Sequence, residues 1–360
     1  MVPNMYIDNM EERLLKYEEY WEMKNHDRPL ISVCAPNGKN IPVPEFKGTI
    51  KERWWDEDYV IARARAGMAS TYYAGESLPT LWPNLGPDIF SAYLGSEILY
   101  EESTSYAEPF VENWKDVKIT FSEDNVYWKK ICAMTDRMLN DSKGDYIVGL
   151  TDLHEGMDAL VSMRGPEKLC MDIYDEPDEV KRVLGEVQAA FKTVLEKSFA
   201  LFEGRQKGTT CWMDIYHPGK WYVSSSDFIY LISPETFEEF SRESIRMEAE
   251  IIGNNIYHLD GIGSKRHLDR LLEMPEINGI QWVYGAGQPT AAYWIDVLKK
   301  IQDAGKMIEI SCVPGDMEAL FSSGLKPEGV RYSLWAESAE QADAIIKQAE
   351  EVYKKSRVFI

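Results

Sequence analysis

Residues 254 to 288, NNIYHLDGIGSKRHLDRLLEMPEINGIQWVYGAGQ, constrain the fold more than any other stretch. A short apolar run, Ile256 and Tyr257, ends in the polar pair His258 and Asp260 and then in glycines at 261 and 263. Leu268, Leu271 and Leu272 recur at helical spacing, Pro275 and Asn278-Gly279 stop the helix, and a second apolar run, Ile280 to Tyr284, closes on Gly285-Ala286-Gly287. This is one strand, helix, strand unit, with polar chemistry only where each strand stops. Short strands bounded by glycine and alternating with helices predict a parallel sheet built of βαβ units. If such a sheet closes, the residues just past the strand ends form the active face.

The same punctuation recurs along the chain. Strands are predicted at 29–34, near 78–81, at 145–150, at 209–215, ending at His258, at 280–284, at 307–311 and at 330–334. Eight strands in this order predict a single (β/α)8 TIM barrel over 1–360. An acidic amphipathic helix at 8–25 forms an N-terminal extension (1–28), and 56–71 is a further helix. Between Gly86 and Phe121 aromatic and acidic residues follow no clear period, which predicts a covering loop excursion, since loops of this length usually serve a binding site. Ser233-Pro234 marks a helix start, with a capping hydroxyl before a proline.

Charge narrows the partners. Sixty acidic against thirty-nine basic residues give a net charge of -21, which repels phosphate backbones and anionic membrane surfaces and argues against nucleic acid. No run approaches the length of apolar sequence that a membrane span needs, and no secretory leader is legible, so a cytoplasmic protein is expected. Five cysteines, at 34, 132, 170, 211 and 312, never fall in metal-knuckle spacing and read as reduced thiols.

Three of the five histidines, His154, His217 and His258, follow predicted strands, as do Asp152, Glu155, Asp214, Asp260 and Glu337. On a parallel sheet these ends share one face, so imidazoles and carboxylates there can converge on a ligand. Some of those acids could equally be doing the ordinary work of capping helices. Strands four and five are expected to be neighbours, which makes His258, Asp260, His217 and Asp214 the catalytic candidates. An imidazole beside a carboxylate suits general acid chemistry near neutral pH. Asp152, His154, Glu155 and Glu337 are expected to bind substrate, together with the aromatic residues Trp82, Tyr216, Trp282, Tyr284 and Trp335. Such a mouth suits a ring, a sugar or a cation, whereas core packing is the ordinary role of any one tryptophan.

The phrase at 257–289, YHLDGIGSKRHLDRLLEMPEINGIQWVYGAGQP, resembles the uroporphyrinogen decarboxylase-like superfamily, which includes the corrinoid-dependent methyltransferases. The likeness continues through DLHEGMDALVSMRGPEKLCMDIYDEPDEV, SPETFEEF and SLWAESAEQADAI, and so covers most of the chain after about residue 140. The resemblance implies a (β/α)8 barrel, a homodimer, and either porphyrinogen decarboxylation or methyl transfer. The arginine-rich motif that holds porphyrinogen carboxylates is replaced by Ala35-Pro-Asn-Gly-Lys-Asn40. In the methyltransferase branch a zinc ion sits on His-x-Cys and a later Cys; here the positions read His258, Asp260 and, in SLWAES, Ala336. A zinc or other divalent ion would then need His258 and Asp260 with Glu309, Cys312 or Glu337. The resemblance favours an enzyme passing a methyl group between a methoxy-aromatic or methylamine substrate and a corrinoid protein. A porphyrinogen decarboxylase (a lyase) and a carbohydrate-active or sugar-binding barrel are the alternatives.

Overall fold

Apolar strands buried on both faces run through the centre of the molecule, as expected of a parallel sheet covered by helices. The computed structural model describes residues 4–356. Its strands, in chain order, are β1 (Leu30–Pro36), β2 (Thr71–Gly75), β3 (Thr80–Leu81), β4 (Glu97–Tyr100), β5 (Ser105–Glu108), β6 (Ile147–Val148), β7 (Tyr222–Ser225), β8 (Asn255–Asp260), β9 (Gly279–Val283), β10 (Met307–Cys312) and β11 (Val330–Trp335). Seven form a central sheet in the order β2-β1-β11-β10-β9-β8-β7. Its neighbours are parallel except β1 and β2, which are antiparallel. β3 and β6 form a separate parallel pair, and β4 and β5 a hairpin. The result is a mixed α/β fold with a central parallel sheet. No helix among the described residues is long and apolar enough to cross a membrane.

Apart from the edge strand β2, which is partly exposed along most of its length, accessibility in strands β8 to β11 gathers toward their C-terminal ends. In β8 only His258 and Asp260 are partly exposed, in β9 only Val283, in β10 only Ser311, and in β11 Ser333 and Trp335. Parallel strands end on one side, so these residues mark a single rim.

The opposite end is sealed by the N-terminal helix Met10–Trp21. Tyr17 hydrogen-bonds Ser32 Oγ at 3.2 Å and donates to Glu76 O at 3.0 Å, and Tyr20 donates to Ile308 O at 3.3 Å. Beside them Arg331 and Glu309 form an ion pair at 2.9 Å, with Ser333 donating to Glu309 Oε1 at 2.8 Å.

Several expectations change. No strand forms at 209–215: the segment is turn and coil with one antiparallel bridge, Thr209 to His217, and β7 pairs with β8 in its place. Asp214 explains part of this, because its backbone is left-handed at φ +55, where a strand cannot continue. The helix expected at 56–71 ends at Ala69, and Thr71–Gly75 runs back along β1 as an unforeseen antiparallel strand. The predicted strand at 145–150 shortens to Ile147–Val148, although Gly149 N donates to Leu81 O and Leu150 N to Thr210 O. The 86–121 excursion contains a short helix, Ile89–Tyr93, the β4–β5 hairpin and a turn at Trp114–Asp116. It packs beside the helix Gly156–Arg164, where Arg164 donates to Val111 O and Glu112 O. Ser233 caps its helix as predicted, accepting from Thr236 N at 3.2 Å.

Candidate functional site at the strand ends

His258 and Asp260 share one side of β8 because side chains alternate along a strand. On β9, Gln281 stands in register with His258. Gln281 Oε1 lies 2.5 Å from His258 Nδ1. An amide oxygen can only accept, so Nδ1 carries the proton and Nε2 keeps its lone pair for a proton, a metal or a substrate. The Trp212 ring meets the imidazole edge-on at 5.2 Å between centroids, which limits its rotation. His258 is thereby held in one tautomer and one orientation.

Asp227 completes the group. One ligand atom each from Asp227, His258 and Asp260 lie within 4.8 Å of one another. Burial, and the charge of Asp227 against the pull of His258, leave the Asp260 carboxyl above its ordinary pKa. Asp227 opens a 3-10 turn (Asp227–Leu231) that is capped from another element: Asp158 accepts from Asp227 N at 2.7 Å and from Phe228 N at 2.8 Å. Asp158 therefore sets where Asp227 sits.

On the far side of Asp227 lies His154, grouped with Asp158 and Asp227 within the same 4.8 Å. These residues and Asp88 line a cleft of about 250 Å³ with apolar walls at Phe228 and Leu231. His154 Nε2 is 3.5 Å from Asp152 Oδ2. Burial opposes the His154 cation, but Asp152, reinforced by Asp158 and Asp227, outweighs it and holds the imidazole well above its ordinary pKa. Burial, aided by Asp227, pushes Asp158 up to about 6. The rim thus carries a cationic imidazole at His154 and an oriented one at His258, bridged by an exposed carboxylate.

Other predicted residues are engaged elsewhere. Asp214 accepts from Thr80 Oγ1, and its carbonyl takes Tyr17 OH at 3.3 Å and Arg331 Nη2 at 3.4 Å, toward the end sealed by the N-terminal helix. His217 packs edge-on to Trp21 of that helix, with its Nδ1 accepting from Gly219 N at 2.9 Å, and burial lowers its pKa. These two are not gathered with His258 and Asp260. Tyr216 packs edge-on to Tyr17, and Trp282 is fully buried against Trp294, on the face of β9 opposite Gln281. Trp82 and Asp214 line a separate cavity of about 590 Å³ with Arg53 and Arg63. Tyr284 donates to Ser311 O at 3.3 Å, Trp335 stands 57% exposed on the rim, and Glu337 is exposed. Glu309 is committed to Arg331 and Cys312 Sγ to Ile310 O, and neither joins the groups around Asp227. Glu155 turns away into the interior.

Gln281, Asp158 and Asp227 complete the site although the strand-end pattern did not select them. Gln281 did carry a signal, as an amide inside an otherwise apolar strand run. Asp158 carried none, because an Asp in a first helical turn is ordinary.

No family model and no curated protein matches the sequence. Among solved structures, a methyltransferase from Methanosarcina mazei superposes with a TM-score of 0.63 at 11% identity, covering 96% of this chain and 99% of that one. Identity that low speaks for architecture alone. The chain therefore shares its α/β fold, over nearly its whole length, with that methyltransferase.

Proposed function

We propose that the sheet is a closed (β/α)8 barrel of the uroporphyrinogen decarboxylase-like superfamily, and that the chain is an enzyme moving a methyl group between a small methylated substrate and a corrinoid protein. The observation that carries this reading is the oriented His258 beside Asp260 and Asp227 at the strand ends of a fold shared with a methyltransferase.

A methoxy or methylamine substrate loses its methyl group only if the departing oxygen or nitrogen is stabilised, by a proton or by a cation. Asp260, held above its ordinary pKa, is placed to give that proton, and His258 Nε2 to hold or receive it. Trp212 and Trp335 supply ring surface for the methyl-bearing group. A corrinoid on a separate protein would serve as the methyl carrier. One imidazole and two carboxylates also fit a divalent ion bound through nitrogen and oxygen, which would act as a Lewis acid. They do not fit a thiolate-rich zinc site. Burial pushes the Cys312 thiol well up, and its sulfur is not grouped with His258.

The test is to incubate the protein with reduced corrinoid and a panel of methoxy-aromatics and methylamines, following the corrinoid spectrum. Conversion to the methylated form with at least one donor, lost in His258→Gln, supports the reading. Absence of conversion with every donor, together with binding from a sugar panel or of uroporphyrinogen, overturns it.

A further inference from the structure

Behind the rim lie two glutamates that the proposed chemistry does not use. Glu155 is 0% exposed and Glu248 1% exposed. Neither oxygen of Glu155 has a hydrogen-bond partner, nor does Glu248 Oε2. Glu248 Oε1 accepts from Ser244 Oγ at 2.8 Å, that hydroxyl in turn accepts from Gln188 Nε2 at 2.7 Å, and the Gln188 amide also bears on the Glu248 carboxylate. The two acids bear on one another electrostatically, and Glu248 reaches the backbone next to Glu155. A Cβ built on Gly156, the residue after Glu155, would meet Glu248 Oε1 at 2.3 Å, so Gly156 and its positive φ of +57 are what admit the Glu248 carboxyl.

The groups facing the pair come from every element around it. Ser244 lies on the same helix as Glu248 (Arg242–Ile252), Gln188 on the helix Pro177–Ala200, and Tyr257 on β8, its buried hydroxyl also without a partner. His154 and Asp158 flank Glu155 in sequence, and Asp227 lies beyond them. Among the described residues no lysine or arginine pairs with either carboxylate. Burial and Glu248 outweigh the His154 imidazole beside Glu155, which favours its charge, so the two carboxylates cannot both ionise cheaply.

We propose that Glu155 and Glu248 hold a proton between them, and that this proton fastens the His154–Asp158 segment to the helix behind it, so that its loss to solvent at alkaline pH unseats the rim. The chain of cause is short. Ionising the second carboxyl places like charges against Gly156 and next to Asp158, and Asp158 is the group that caps Asp227 and Phe228. Glu155 and Glu248 are therefore positioning residues, acting through Asp158 on Asp227. The inference does not depend on which group the enzyme transfers. Its pH window follows from burial, which pushes Glu248 up to about 8 and Glu155 well above its ordinary value, the latter reinforced by Glu248.

Amide hydrogen exchange of the whole chain, corrected for intrinsic exchange and read at Asp227 and Phe228, tests it between pH 6 and about pH 9.5. Wild type should lose at least about tenfold protection at these two amides as pH passes through the window. Glu248→Gln and Glu155→Gln keep the shape and cannot ionise, and each should hold protection nearly level. A purely structural role for Glu248 would instead make Glu248→Gln offset protection equally at every pH, which overturns the proposal. A flat wild-type profile overturns it without reference to either variant.

Discussion

Two sets of buried glutamate lie at opposite ends of this molecule. Toward the end sealed by the N-terminal helix, Glu309 meets Arg331 at 2.9 Å, both nearly inaccessible, with Ser32 on that side and Ser333 from the rim side completing the polar shell. Behind the rim, Glu155 and Glu248 bear on one another with no lysine or arginine paired to either among the described residues, and the titratable His154 imidazole is the neighbour of Glu155. Burial works against the Arg331 charge, but Glu309 and Tyr17 outweigh it and hold the guanidinium firmly protonated; burial also lifts the Glu309 carboxyl above its ordinary value, but Arg331 and Ser333 hold that rise back. The acid pair has no such permanently charged anchor, since the cation beside Glu155 is the titratable His154 imidazole, and must answer to pH. A buried carboxylate given a fixed counter-charge becomes scaffold, whereas one given only another carboxylate becomes responsive.

The contrast breaks most severely if the anchored acid loses its anchor. Arg331→Met leaves Glu309 buried and alone and should cost about 3–5 kcal/mol in urea unfolding, whereas Arg331→Met with Glu309→Leu should recover most of that loss. A double variant as unstable as the single one would mean that Arg331 acts through its bonds to Met213 O and Asp214 O instead.

Turnover comes next. The comparison predicts that chemistry belongs to the rim and not to the sealed end. His258→Gln and Asp260→Asn should each lower the rate on the eventual substrate at least about a hundredfold with little change in melting temperature, the scale of general acid-base catalysis. A large fall in melting temperature with normal turnover per folded molecule would make His258 a structural histidine.

Stability against pH sharpens the same contrast. A carboxyl raised in the folded state adds stability that is fully present below its unfolded pKa, about 4.3 for glutamate. That stability is lost as pH rises through the folded value, about 8 for Glu248. Wild type should therefore lose stability across this window, by on the order of a few kcal/mol, and Glu248→Gln should not. Denaturant midpoints at pH 5, 7 and 9 check it, and parallel profiles for the two proteins would refute it.

The smallest effect concerns Gln281. Gln281→Leu frees His258 Nδ1 and should weaken divalent-ion binding about tenfold, measured by manganese or zinc titration, as loss of a group orienting a ligand usually does. No change would mean that Trp212 alone holds the ring.

How much of this was legible beforehand can be followed residue by residue. The βαβ reading of 254–288 became β8, a helical segment and β9, because glycine and proline end elements locally and apolar spacing sets their type. His258 and Asp260 were found as a pair because both are polar at the end of an apolar run, and alternation puts residues two apart on one side. The expectation for 209–215 failed for an equally local reason: its apolar residues look like a strand, but Asp214 turns left-handed and the chain folds back on itself before β7. Asp214 and His217, placed by that expectation beside His258, went to the other end with it.

The sequence by itself determined many of the elements, including β1, β8, β9, β10 and β11 with their parallel direction, and the polar character of their ends, since these follow from spacing within a few residues. Only the tertiary structure decided which polar ends meet. Asp158 reaching across to cap Asp227, Gln281 choosing the tautomer of His258, Arg331 claiming Glu309 and Glu248 settling against Gly156 all join residues between 22 and 92 positions apart, and no local period encodes such distances. Those pairings depend on which helices and strands pack together, and burial then fixes the charge each group can carry.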